Sequence, residues 1–179
     1  MKISMYDTTI PVWKHYLNNL SIMLDKTAVY SDAKKIDHAV ILNARLYPDM
    51  FGLTRQVQMA SDYAKNASAR LAGIDLPKVK DDESNFAQLQ ARISKTISFL
   101  DSIMPSQLEG SESRDIVLFI HEKMQHMNGM QYVQYVVQPN FYFHITTAYN
   151  IMYHNGLGLS DEDFGFDDSR RKELMGTEV

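Results

Sequence analysis

Apolar residues near the start of the chain recur in alternating steps of four and three: Tyr6, Ile10, Trp13, Leu17, Leu20 and Leu24. That spacing lines one face of an α-helix and predicts a helix over about residues 8–27, with Pro11 either in its first turn or kinking a longer rod. Residues 31–37 read as a polar connection, and Ala39-Val40-Ile41-Leu42 as a short apolar patch. The same steps return at Leu46, Met50, Leu53, Val57, Ala60, Ala64, Ala67 and Leu71, a second helix of about seven turns. Pro48 and Asp49 suit its first turn, where a missing donor costs nothing and an acid meets the positive end of the dipole; Gly73 suits its end. A polar loop over 75–85 follows. Phe86, Leu89, Ile93, Ile97, Leu100 and Met104 then predict a third helix, capped by Ser84 or Asn85 and ended before Pro105.

The pattern changes over 115–120, DIVLFI, which reads as a short strand. Asn128-Gly129 offers one hairpin turn. The alternative, which we prefer, turns near His121-Glu122-Lys123, pairs 115–120 with about 124–128, and uses Gly129 to leave the strand. Tyr132, Tyr135 and Val136 resume helical spacing and lead into 139–156, PNFYFHITTAYNIMYHNG. Pro139 falls at a break or kink between two helical pieces, and Gly156 closes the helix. Phe164 and Phe166 are anchors for the segment that follows, and a charged tail completes the chain. The pattern predicts an all-α fold, a four-helix bundle with a small β-hairpin before the last core helix. It forms one domain over 1–166, with a polar tail over 167–179. Bundles of this kind build sites between facing helices.

Composition narrows the function classes. The 179 residues are 45% apolar and 22% charged, with a net charge of −4 and no basic block; nothing points to nucleic acid or to an acidic membrane surface. No stretch is apolar enough for a signal peptide or a bilayer span. The absence of cysteine removes disulfides, thiolate catalysis and Cys-ligated zinc, and suits a cytoplasmic protein. Eleven Met and ten Tyr read as adaptable core filling and surface-seeking phenols.

The candidate chemistry lies in the last helix. Asn150 and His154 are four apart and share a face, with Thr146 or Thr147 one turn earlier. His144 precedes His154 by ten residues, about 15 Å of rise and about 80° of rotation, so a regular helix cannot bring both onto one metal. Gln56 and Gln58 lie on the facing second helix; a buried amide at Gln56 needs partners, which Asn150 or His154 could supply. His15, His121 and His126 read as surface residues, 141–143 as core, and Asp81/Asp82, Asp161/Asp163 and Asp167/Asp168 as solvated charge. There is no phosphate loop, no HExxH and no GxSxG.

ARLYPDMFGLTRQVQMASDYAKNASARLAG at 44–73, PNFYFHITTAYNIMYHNG at 139–156 and DFGF at 163–166 resemble a bacterial domain-of-unknown-function family within the DinB/YfiT-like metalloenzyme superfamily. The likeness runs from about Ser4 to Phe166. It implies a four-helix bundle, often a homodimer. In the superfamily, three histidines hold nickel or zinc, one from the second helix and two from an HxxxH near the end of the last, and some members are thiol-dependent transferases. On this chain the resemblance puts Asn150 and His154 at the HxxxH, and Gln56 is the stand-in for the second-helix histidine. One imidazole with neutral amides is a poor set for either metal. The expectation is therefore a bundle without a bound metal, taking a small molecule in a pocket near His154, Asn150, His144, Gln56 and Thr147. The alternative is a metal-dependent enzyme using His154.

Overall fold

Residues 3–120 and 122–165 are described by a computed structural model of the chain. Four long helices carry the fold: α1 (Ile10–Lys34), α3 (Leu53–Ala72), α4 (Phe86–Asp101) and α6 (Gln138–His154), with a short α2 (His38–Asn43) between the first two. α3 packs against both α4 and α6, and α1 closes the bundle against α4 and α6. The apolar stripes meet inside: Ile10, Trp13, Leu17, Leu20 and Leu24 are fully buried, as are Val57, Ala60, Ala64 and Leu71 of α3. This is the predicted bundle, with the alanines on the buried face of α3.

Several boundaries differ from the sequence reading. α1 runs on to Lys34, well past the end of its apolar stripe and through most of the predicted polar connection. Buried Thr27 and Ser31 donate to the carbonyls of Met23 (2.6 Å) and Thr27 (2.8 Å), so hydroxyls continue the inner face where aliphatic residues stop. Lys35 ends it in the left-handed conformation. α3 begins at Leu53, with Gly52 as its cap; Leu46 and Met50 precede it, and Pro48 takes no part in its first turn. α4 is capped by Asn85, whose side chain accepts from Gln88 N–H at 2.9 Å, and Met104 lies beyond its end, exposed.

The hairpin forms as preferred. β1 (Asp115–Ile120) pairs antiparallel with β2 (Lys123–Asn128), and Ile120 opposes Lys123. Glu122 in the turn has φ +62°. Asn128-Gly129 is not the turn. The Asn128 side chain accepts from Gln131 N–H at 2.9 Å, and Gln131 accepts from Asn128 N–H at 3.1 Å, a reciprocal cap that starts α5 (Gly129–Gln131).

Between α5 and α6 the chain widens into a π-helical segment, Tyr132–Val137. Its cause is Pro139 at the start of α6. A proline ring in a regular helix collides with the carbonyl four residues back and gives it no donor, and a π-bulge relieves both problems. Asn140 Nδ2 donates to the carbonyl of Val136 at 2.7 Å, a further bond along the same segment.

After α6 a short α7 (Asp161–Phe164) folds back onto α1. Phe164 packs on Tyr16 and Tyr149, with ring centroids 5.6 and 5.8 Å apart. His15 is thereby covered, a correction to its reading as a solvated residue: its Nε2 lies 2.9 Å from the carbonyl of Gly165, to which Asn19 also donates at 2.6 Å. Phe166, the 167–179 tail and His121 lie outside the described residues. Among the described residues no helix is long and apolar enough to cross a membrane.

Candidate functional site

α3 and α6 face one another over their length, and this juxtaposition sorts the candidate residues. Gln56 (1% exposed) and His144 (5% exposed) meet inside the bundle, with Nδ1 of His144 2.7 Å from Oε1 of Gln56. Gln56 Nε2 donates in turn to the carbonyl of Phe51 at 3.1 Å. The partners of Gln56 are thus His144 and a backbone carbonyl, not Asn150 or His154. Thr147 is also buried, and its hydroxyl donates to the carbonyl of Phe143 at 2.7 Å. Asn150 and His154 fall on the exposed side of α6, so the candidate residues of the last helix divide between two faces. Gln58 joins the loop before α4, donating to Glu83 at 2.8 Å and accepting from Arg55 at 3.1 Å. His126 is on the surface beside Asp115, 3.0 Å away.

Burial, with a smaller contribution from the Arg55 charge, lowers the His144 pKa from 6.5 to about 4. The imidazole is neutral at physiological pH. Tyr63 stacks on it, with ring centroids 5.6 Å apart and planes inclined by 23°.

The outer side of Tyr63 faces a groove of about 910 Å³, within the roughly 300–1,000 Å³ usual for small-molecule sites. Arg55, Met59, Tyr63 and Arg70 of α3 form one wall; Leu118 and Phe119 of β1, with Tyr132 and Tyr135 of the π-helical segment, form the other. Arg55 donates to Asp81 and lies over Phe51, 5.7 Å from the ring centroid. Arg70 donates to Tyr132 Oη at 3.2 Å and lies 5.9 Å from that ring's centroid. Burial raises the phenol pKa of Tyr63; at Tyr132 burial does the same against the partial offset of Arg70. Both stay protonated at neutral pH.

Behind the groove, Arg92 (3% exposed) gathers the acids of the 75–85 loop. Its guanidinium contacts Asp62 at 2.8 Å, Asp81 at 2.9 Å and Glu83 at 2.9 Å, and Lys65 Nζ also reaches Asp62 at 2.8 Å. Burial pushes the carboxyls of Asp81 and Glu83 upward, but hydrogen bonds and charge from Arg55 and Arg92 outweigh it, with Gln58 adding a bond at Glu83, and both end below their ordinary values. Asp81 is therefore a paired residue, a correction to its reading as solvated charge.

The groove was legible in part. Arg55, Met59, Tyr63, Asn66 and Arg70 form a second stripe at helical spacing beside the apolar one; read alone it is an ordinary solvated face. Only the hairpin opposite makes it a wall.

A family model, domain of unknown function (DUF1993), matches residues 5–165. Among solved structures, the crystal structure of a DinB family member protein from Shewanella denitrificans is similar to this chain, with 35% identity over 89% of this chain and 90% of that one and a TM-score of 0.85. No curated protein matches.

Proposed function

This chain belongs to the DUF1993 family of DinB-like proteins, and from that premise we propose that it binds a small molecule in the groove beside Tyr63, with the superfamily's metal site replaced by a hydrogen-bonded amide–imidazole pair. The observation that carries this reading is the Gln56–His144 bond, 2.7 Å long and buried. It joins the second core helix to the last and occupies His144 Nδ1 and the amide oxygen together. A divalent ion held by histidines needs several imidazoles converging with free ring nitrogens. The donors here do not fit it: His144 is a single buried imidazole with only Nε2 free, the Gln56 amide oxygen is taken by its Nδ1–H, and the other candidate, His154, is exposed elsewhere on α6. Among the described residues no three His, Cys, Asp or Glu side chains converge as a ligand set. The groove has the size and the mixture of aromatic, aliphatic and a few polar groups that small-molecule sites use. The π-helical segment that forms part of its wall is a feature often found at functional sites.

The test is elemental analysis after loading with nickel or zinc and dialysis, beside thermal-shift measurements. The expected result is metal far below one equivalent, with Tm raised by amphipathic small molecules and unmoved by the ions. One tightly held equivalent that disappears in His144→Ala or His154→Ala would overturn the reading.

A further inference from the structure

We propose that the Arg70 end of this groove is an anion subsite, which takes a carboxylate or phosphate group of an amphipathic small molecule on the Arg70 guanidinium and the hydroxyls of Tyr132 and Tyr63. The proposal rests on the groove being the ligand site.

Three arginines lie in or just behind the groove, and they differ in how they are neutralised. Arg55 is bonded to Asp81, and Arg92 to Asp62, Asp81 and Glu83. Among the described residues no carboxylate lies within ion-pairing distance of Arg70. Asp62 also lines the groove, but Arg92 and Lys65 already hold its Oδ1 at 2.8 Å each. Among the described residues the groove therefore presents one uncompensated positive charge.

Arg70 is also held in place. Its guanidinium donates to Tyr132 Oη at 3.2 Å and is laid over the same ring, so little side-chain entropy remains to be lost when it takes a ligand. The Tyr132 oxygen accepts that bond, which leaves its own O–H to donate elsewhere. Tyr63 is close enough that ionising one phenol disfavours ionising the other. The Tyr63 hydroxyl makes no hydrogen bond among the described residues. A guanidinium and two phenol donors lining one groove suit the oxygens of a carboxylate or phosphate. Leu118 and Val136 lie alongside in the same groove, ready to cover an apolar body.

The experiment is calorimetric titration of the full chain with octanoate, octanamide and octyl phosphate. The anionic ligands should bind at least about tenfold more tightly than the neutral amide, the size of a charge-assisted hydrogen bond, and the tighter of the two identifies the preferred group. Arg70→Met should abolish that advantage. Tyr132→Phe should reduce it. Equal binding of octanoate and octanamide would overturn the anion subsite and leave the groove standing, whereas failure of all three ligands to bind would remove the groove as well. Should Arg70→Met not fold, Arg70→Lys keeps the charge without the fork; an undiminished preference in both Arg70→Lys and Tyr132→Phe would likewise overturn the subsite.

Discussion

The carbonyl of Phe51 can only accept, so the Gln56 amide nitrogen faces it and the amide oxygen faces His144. His144 Nδ1 must then carry the proton, and Nε2 is the basic nitrogen. The tautomer is thus set by a backbone group two bonds away. NMR titration should find a histidine with a pKa of about 4, protonated at Nδ1 when neutral. A value near 6.5 would mean the ring is not held as described. The shift has a stability consequence. The folded-state pKa lies below the unfolded one, so between about pH 6.5 and 4 the unfolded chain binds more protons. Stability from this group is complete above that window and falls as pH falls through it, by about 3 kcal/mol in all. In His144→Gln, urea titrations should show a smaller loss over that range. By contrast, Asn150→Ala and His154→Ala, on the exposed side of α6, should each change stability by less than about 0.5 kcal/mol.

At the scale of elements, the join between hairpin and last helix shows how one dipeptide serves two ends. Asn128 closes β2 and caps α5. Gly129 sits against the chain after α4: a Cβ there would lie 1.9 Å from the backbone carbonyl oxygen of Ser111. No side-chain rotation relieves a clash with backbone. Gly129→Ala should therefore cost about 1–3 kcal/mol, the range for overpacking, read from chemical denaturation. Any displacement it causes reaches the π-helical segment, and ligand binding in the groove should weaken with it. A substitution that left stability unchanged would show that the hairpin is free to shift.

For the whole molecule, the loop over 75–85 is fastened by charge. Arg92 ties Asp81 and Glu83 of that loop on α4 to Asp62 of α3, a network holding two core helices and a connection together. Removing the cation would leave the largely buried Glu83 with no cationic partner, while Asp62 keeps Lys65 and Asp81 keeps Arg55, and Arg92→Leu should cost about 3 kcal/mol, the lower end for a broken buried pair. Lysine, a point charge without the fork, should restore only part. The acids have folded-state pKa values below their ordinary ones. Their contribution is present above the unfolded carboxyl range and is lost as pH falls through the folded values. On acidification the native chain should thus lose stability both through His144 and through these carboxyls, and in Arg92→Leu the carboxyl share of that loss should be smaller.

The helices, their inner faces and the hairpin turn follow from local rules: apolar spacing sets a helix's buried side, proline and glycine punctuate it, and an asparagine caps it. Those effects act over a few residues, so the order of amino acids was enough for the bundle and for the hairpin's place before the last core helix. It did not carry α1 to Lys34, because buried hydroxyls at Thr27 and Ser31 resemble an exposed face until a neighbour covers them. The site needed tertiary structure for the same reason. Gln56 and His144 are 88 positions apart, and which amide meets which imidazole depends on how α3 and α6 are rotated about their axes. The spacing of Asn150 and His154 put them on a common face, but only packing decided that this face is exposed. Pairing between distant charges, and a wall made by a hairpin opposite a helix, exist only once separate elements have been brought within a few ångströms.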